Sequence, residues 1–191
     1  MGLSAVVGVS SSIDADKLSF FKDRYQFPDD VRTHFVAPDE WFCSPRSLGI
    51  DIYESFILAG LRFPRNAFTK ELFHRHGIAP SKLNPNGWRI IVAMQLLWRE
   101  FSEGNFLLNV DEFLLCYKLV EIPKSLGFFQ FSLRYKTFML IMSLSLFDRE
   151  WKSEFFFVYG FWTSDPIKVG VDTAFCTPYD FGPYSPIMLK F

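Results

Sequence analysis

The chain has 191 residues, 20 Lys/Arg against 21 Asp/Glu, and 49% hydrophobic residues that include 24 Phe. This length suits one core, and the apolar content excludes a disordered polar chain. A formal charge of −1 gives no global drive toward nucleic acid or an anionic membrane, while an aromatic share of 19% exceeds what a core of this size readily encloses and predicts exposed apolar surface.

Residues 1–12 are small and end in Ser10-Ser11-Ser12, which reads as a loose terminus. From Asp14 or Asp16, Leu18, Phe21 and Tyr25 recur at helical spacing until Pro28, so a short amphipathic helix is predicted, followed by a strand over Arg32 to Val36. Ser47 is read as the cap of a helix running to Ala59, with Gly60 as its left-handed stop. Phe63-Pro64 breaks the chain, and Ala67 to His76 forms the next helix, ended by Gly77. Asn84-Pro85 pairs a capping side chain with a proline at the first helical position, which opens a long helix to about Ser102. Its stripe is Ile90, Met94, Leu97, Trp98 and Phe101, with Val92 and Leu96 in the polar arc. Asn109 and Glu112 make a capping box for a helix to about Val120.

After Gly127 the period becomes two. Phe129, Phe131, Leu133 and Tyr135 alternate with Gln130, Ser132 and Arg134, and Phe138 to Phe147 and Phe155 to Tyr159 are the candidate partner strands. Helices followed by an antiparallel sheet make the fold class α+β: N-terminal and central helices packed with a small antiparallel sheet toward the C-terminal part. The predicted organisation is a loose terminus at 1–12, one helix-rich α+β domain at 13–160 and an irregular aromatic and Pro-rich tail at 161–191.

Cys43, Cys116 and Cys176 are odd in number and widely spaced, so neither a disulfide framework nor a zinc site is encoded, and a reducing intracellular compartment, nucleus or cytoplasm, is expected. The start has no basic n-region for a signal peptide. Phe138 to Phe147 is interrupted by Ser143 and Ser145 and has about half of the ~20 residues a membrane helix needs, so no membrane segment is expected.

No catalytic constellation is recognisable. Asp29-Asp30 and Asp111-Glu112 sit where turns and helix starts want acids. His74 and His76, two apart on a helix, point to opposite sides and cannot share a metal; with Arg75 they read as a solvated helix end. Cys116 in an apolar helix reads as a core residue, Cys43 lacks a histidine partner, and no phosphate loop appears. Phe128-Phe129 and Phe155-Phe156-Phe157 read as core packing rather than base-stacking platforms. No metal, cofactor or small-molecule ligand is therefore expected.

The stretch 60–100 is basic, with seven Lys/Arg against two acids. Arg62, Arg65, Lys70, Arg75, Lys82, Arg89 and Arg99 are the candidate nucleic-acid contacts if several share a face, and otherwise a solvated surface; Arg89 would equally suit an ion pair with an N-terminal acid.

The order of Phe27-Pro28, Pro38-Asp39-Glu40, Cys43-Ser44-Pro45, Ala59-Gly60-Leu61-Arg62-Phe63-Pro64, Gly77-Ile78-Ala79-Pro80, Asn84-Pro85 with Trp88-Arg89, and Trp151-Lys152 before Phe155-Phe156-Phe157-Val158 resembles the plant "putative gypsy-type transposon" domain family from about Phe27 to Gly160. The resemblance implies a transposable-element-derived plant protein with no catalytic residue to carry over. The expected role is non-catalytic protein interaction or self-association, with a nucleic-acid-binding module on residues 60–100 as the alternative.

Overall fold

Side-chain caps start four helices. Asp14 accepts from the Lys17 N–H ahead of α1 (Ala15–Arg24), Asn66 from Thr69 ahead of α3 (Ala67–His76), Asn84 from Gly87 ahead of α4 (Pro85–Phe101), and Asn109 from Glu112 ahead of α5 (Val110–Cys116). Each bond satisfies an N–H that the first helical turn leaves without an internal acceptor. In α5 the Glu112 carboxylate also accepts from the Asn109 N–H, which completes the expected capping box. Gly77 ends α3 in the left-handed conformation, as predicted. The remaining helix, α2 (Glu54–Leu58), has no side-chain cap and follows directly from a strand. These assignments come from a computed structural model that describes residues 10–37, 50–63, 66–123, 125, 127–135, 140–141, 144 and 151–159.

The larger sheet has the order β1 (Arg32–His34), β5 (Phe155–Tyr159), β2 (Ile50–Tyr53), antiparallel throughout. Val158 faces Thr33 on one side and Ile50 on the other, so β5 is the central strand. Its residues Phe155, Phe156, Phe157 and Val158 are fully buried, as a strand covered on both faces requires. The second sheet is a hairpin of β3 (Tyr117–Glu121) and β4 (Phe129–Leu133). Phe129 of β4 bridges Leu83, and its carbonyl accepts from the Asn84 N–H at 2.8 Å, which ties the hairpin to the start of α4.

The α+β class holds, but three expected elements differ. The helix expected over 47–59 begins only at Glu54, because Ile50–Tyr53 pairs with β5. The helix expected to reach Val120 stops at Cys116, and the β-forming Tyr117, Leu119 and Val120 pair instead with β4. Phe155–Tyr159, expected beside Phe129–Tyr135, belongs to the other sheet. Most of 138–147, and all of 161–191, lie outside the described residues. Ser11 and Ser12, inside the stretch expected to be loose, are held to the start of β5. The Ser12 N–H donates to Ser153 O at 2.9 Å, and the Phe155 N–H donates to Ser11 Oγ at 3.2 Å.

An aromatic core joins the two sheets. The Tyr53 ring lies edge-on to Trp151 at 4.6 Å, Phe56 packs between Trp88 and Trp151 at 5.7 and 5.8 Å, and Phe128 meets Trp151 at 5.5 Å. Phe113 and Phe131 extend the core toward the hairpin, at 4.9 Å from one another. The predicted core role of Phe128 and Phe155 to Phe157 is thus realised, Phe129 beside them is half-buried, and Cys116 is half-buried and packed against the core. Val92, which fell in the polar arc of α4, is half-buried, with a methyl group 3.1 Å from where a Cβ on Gly60 would stand, whereas Leu96 in the same arc is exposed. Among the described residues no helix is long and apolar enough to cross a membrane.

Candidate protein-interaction surface

α4 outlasts the core it packs on. Seventeen residues at 1.5 Å each span roughly 25 Å, and the apolar stripe continues to the last of them. Ile90 and Met94 are buried, Leu97 and Trp98 are half-buried, and Phe101 is 81% exposed. The stripe therefore leaves the core over its last turn and presents its end to solvent.

The chain then reverses tightly. Glu103 and Gly104 both have positive φ, 51° and 78°, and the Gly104 N–H closes on Arg99 O at 2.8 Å. The Ser102 hydroxyl lies 3.1 Å from Phe106 O, to which it donates, and it accepts from the Phe106 N–H at 3.4 Å. This latch holds the connection in place. Leu108, at the position before the Asn109 cap where a hydrophobic staple belongs, turns inward and is 7% exposed. Phe106 and Leu107 remain outside, at 70% and 88% exposed. Together Trp98, Phe101, Ser102, Phe106, Leu107, Asn109 and Glu112 line an open groove of about 560 Å³.

Helical periodicity puts Phe101 on the stripe but gives no role to Phe106 and Leu107. A signal was present. In Phe106-Leu107-Leu108 ahead of a capping box the staple needs only one apolar residue, which leaves two without a local role.

The surroundings are acidic. Glu112 lines the groove, and Glu100 and Glu103 are exposed at the end of α4, where the helix carbonyls add partial negative charge. Arg99 is the one base between residues 99 and 112, against Glu100, Glu103, Asp111 and Glu112. Asp111 is joined to Arg75, which also pairs with Glu71 at 2.6 Å. The hydrogen bond that Arg75 donates to Asp111 is the main influence raising the Arg75 pKa.

The seven predicted basic contacts are distributed over several elements. Arg62 turns back on its own chain, donating to Ile57 O and Leu61 O at 3.0 and 2.7 Å while its guanidinium lies 4.9 Å from the Tyr25 ring. Arg65 lies outside the described residues. Lys70 is half-buried on α3, and Arg99 is exposed in the last turn of α4. Arg89 donates to Asn86 Oδ1 one turn back at 2.6 Å, in place of the N-terminal acid considered for it. Lys82 shares the Phe128 ring with Lys152, their ammonium groups standing 5.3 and 4.2 Å from its centre. Burial, and then the nearby Lys82 charge, hold the Lys152 pKa below the ordinary lysine value. Of the expected solvated helix end, His74 and Arg75 are exposed, but His76 is half-buried beside Phe131 with Nδ1 2.9 Å from Leu72 O. Among the described residues no group of three His, Cys, Asp or Glu side chains can share a metal ion.

Residues 51–119 match the family described as "putative gypsy type transposon". The resemblance read from the sequence is shown over that segment, which is shorter than the 27–160 expected from the motifs. No curated protein and no solved structure matches the chain. The matched segment runs from β2 into β3 and contains α2 to α5. The whole groove therefore lies inside it, whereas β5, the strand that completes the larger sheet, lies outside.

Proposed function

We propose that this chain is a transposon-derived, non-catalytic protein-interaction domain that docks an apolar segment of another protein in the groove between the end of α4 and the start of α5. The observation that carries this reading is the exposure of Phe101, Phe106 and Leu107 on a connection held by Ser102 and by the Asn109–Glu112 box. Large apolar side chains left in water beside one another mark an interaction site, and burying each contributes about 1.5–3 kcal/mol. Preorganisation reduces the ordering cost of binding.

A heterotypic partner is favoured over a second copy. A two-fold contact would set the same patch against itself, bringing Glu100, Glu103 and Glu112 of both copies together. The test is selection of displayed helical peptides on the full chain, with Leu107→Asp as the control. Because Leu107 is 88% exposed, the substitution should leave the urea midpoint unchanged. The expected result is a set of peptides that bind the parent and lose about tenfold or more in affinity on the variant, equivalent to about 1.4 kcal/mol. Selection that yields no Leu107-dependent peptide overturns the reading. Light scattering that shows a dimer dissociated by Leu107→Asp overturns the heterotypic part.

A further inference from the structure

The geometry points to a basic amphipathic helix, with Lys or Arg beside its apolar face, as the segment this groove takes; the inference rests on the interaction reading above and specifies the partner's chemistry. Two features of the groove decide it.

The first is that the groove offers little pairing edge among the described residues. Its lining residues belong to two helices and the connection between them, and backbone groups of Ser102, Phe106 and Asn109 are already engaged. The Phe106 N–H and carbonyl both meet Ser102 Oγ, the Asn109 N–H donates to the Glu112 carboxylate, and the Ser102 N–H donates to Trp98 O. An added β-strand is held mainly by main-chain hydrogen bonds, and these residues have few to offer. A helix satisfies its own backbone and needs only apolar side chains at i, i+3 or i+4, and i+7 to enter between two ridges. Trp98 and Phe101 on one side and Phe106 and Leu107 on the other supply those ridges.

The second feature is charge. Glu112 lies in the lining, Glu100 and Glu103 stand exposed at the adjoining end of α4, and the C-terminal carbonyls of a 17-residue helix add to the same sign. Arg75 neutralises Asp111, but no such pairing involves Glu100 or Glu103 among the described residues. A cationic flank is attracted to this rim and an anionic one repelled, chiefly through the association rate and with strong salt dependence. The same rim disfavours single-stranded nucleic acid, which would bring phosphates toward these carboxylates although its bases could stack on Phe101 and Phe106.

The experiment uses the full chain and three synthetic helical peptides of about 18 residues, long enough to hold helix in an Ala-rich host. All carry Leu at i, i+4 and i+7, and they differ only in flanks of Lys/Arg, Gln or Glu; an oligothymidine is the fourth probe. Fluorescence anisotropy should show the Lys/Arg peptide binding about tenfold or more tightly than the Glu peptide at low salt, with the difference shrinking at high salt. The double variant Glu100→Gln, Glu103→Gln should remove most of that difference while leaving the Gln peptide unaffected, and Leu107→Asp should weaken all three. Equal affinity for the three peptides, still sensitive to Leu107→Asp, overturns the charge inference and leaves the docking reading standing. Absence of binding by every peptide, or binding indifferent to Leu107→Asp, overturns both. Tighter binding of the oligonucleotide than of any peptide also overturns the inference, in favour of a nucleic-acid surface.

Discussion

Gly87 has a role that composition does not reveal. It is the third residue of α4, its N–H donates to Asn84 Oδ1 at 2.7 Å, and a Cβ there would stand 2.6 Å from both Cγ and Cδ1 of the fully buried Leu83. Leu83 in turn bridges Phe129, so the capping turn, α4 and the hairpin meet at this contact. Gly87→Ala should therefore destabilise by about 1–3 kcal/mol through overpacking, although alanine is the better helix former by ~1 kcal/mol. Gly104 is the contrast, with a φ of 78° and nothing within 4 Å of an added Cβ. Gly104→Ala should cost about 1 kcal/mol, from backbone conformation alone. Urea unfolding at constant m separates the two, and a stabilised Gly87→Ala would show that Leu83 can move aside. The Asn84-Pro85 start was legible because a cap is a local event between residues three apart. The Gly87 requirement was not, because it depends on Leu83 being locked by a strand more than forty residues downstream.

Lys17 is the side chain that fixes one element to two others. Its ammonium meets Glu54 Oε2 at 2.6 Å at the start of α2 and Glu154 Oε1 at 3.2 Å just before β5, which holds α1 against both. Burial works to lower the Lys17 pKa, but hydrogen bonds and charge from Glu54 and Glu154 outweigh it and leave the pKa above 10.5. A base with a raised folded pKa contributes stability that is complete below its unfolded value and is lost as pH climbs through the folded one. The protein should therefore lose stability as pH rises beyond 10.5, and Lys17→Met should flatten that decline while lowering stability at neutral pH. Denaturation midpoints of parent and variant at a series of alkaline pH values check this, and parallel curves would contradict it. The helices α4 and α5 were readable at their starts because each has its own cap, and α3 because Phe63-Pro64 breaks the chain ahead of it. β2 and β3 were not, since Ile50 to Tyr53 and Tyr117 to Glu121 carry spacing compatible with either form and only pairing with β5 and β4 decides it. The groove was half-legible for a related reason. Periodicity shows which residues share a stripe, but not where the core beneath it ends.

The larger sheet closes the molecule by bringing residues 32–34, 50–53 and 155–159 together, and β1 and β2 meet only through β5. Four fully buried side chains on β5, at about 1.5–3 kcal/mol each, are comparable with the entire stability of a typical domain. Deleting residues 155–159 should abolish the cooperative urea transition and leave a species that binds hydrophobic dyes, measured by circular dichroism and dye fluorescence. A sharp transition in the deletion variant would show that the helices and the β3–β4 hairpin are a self-sufficient unit.

The position of β5 also has a consequence for the order in which the protein is made. About a hundred residues separate the end of β2 from β5, so at a translation rate of about 5–20 residues per second the two outer strands wait roughly 5–20 s on the ribosome before their shared partner emerges. In that interval their edges are open to strands of neighbouring nascent chains, and a premature stop codon between the two strands would make the exposure permanent. Such messages should yield chaperone-bound or aggregated product rather than a smaller working domain.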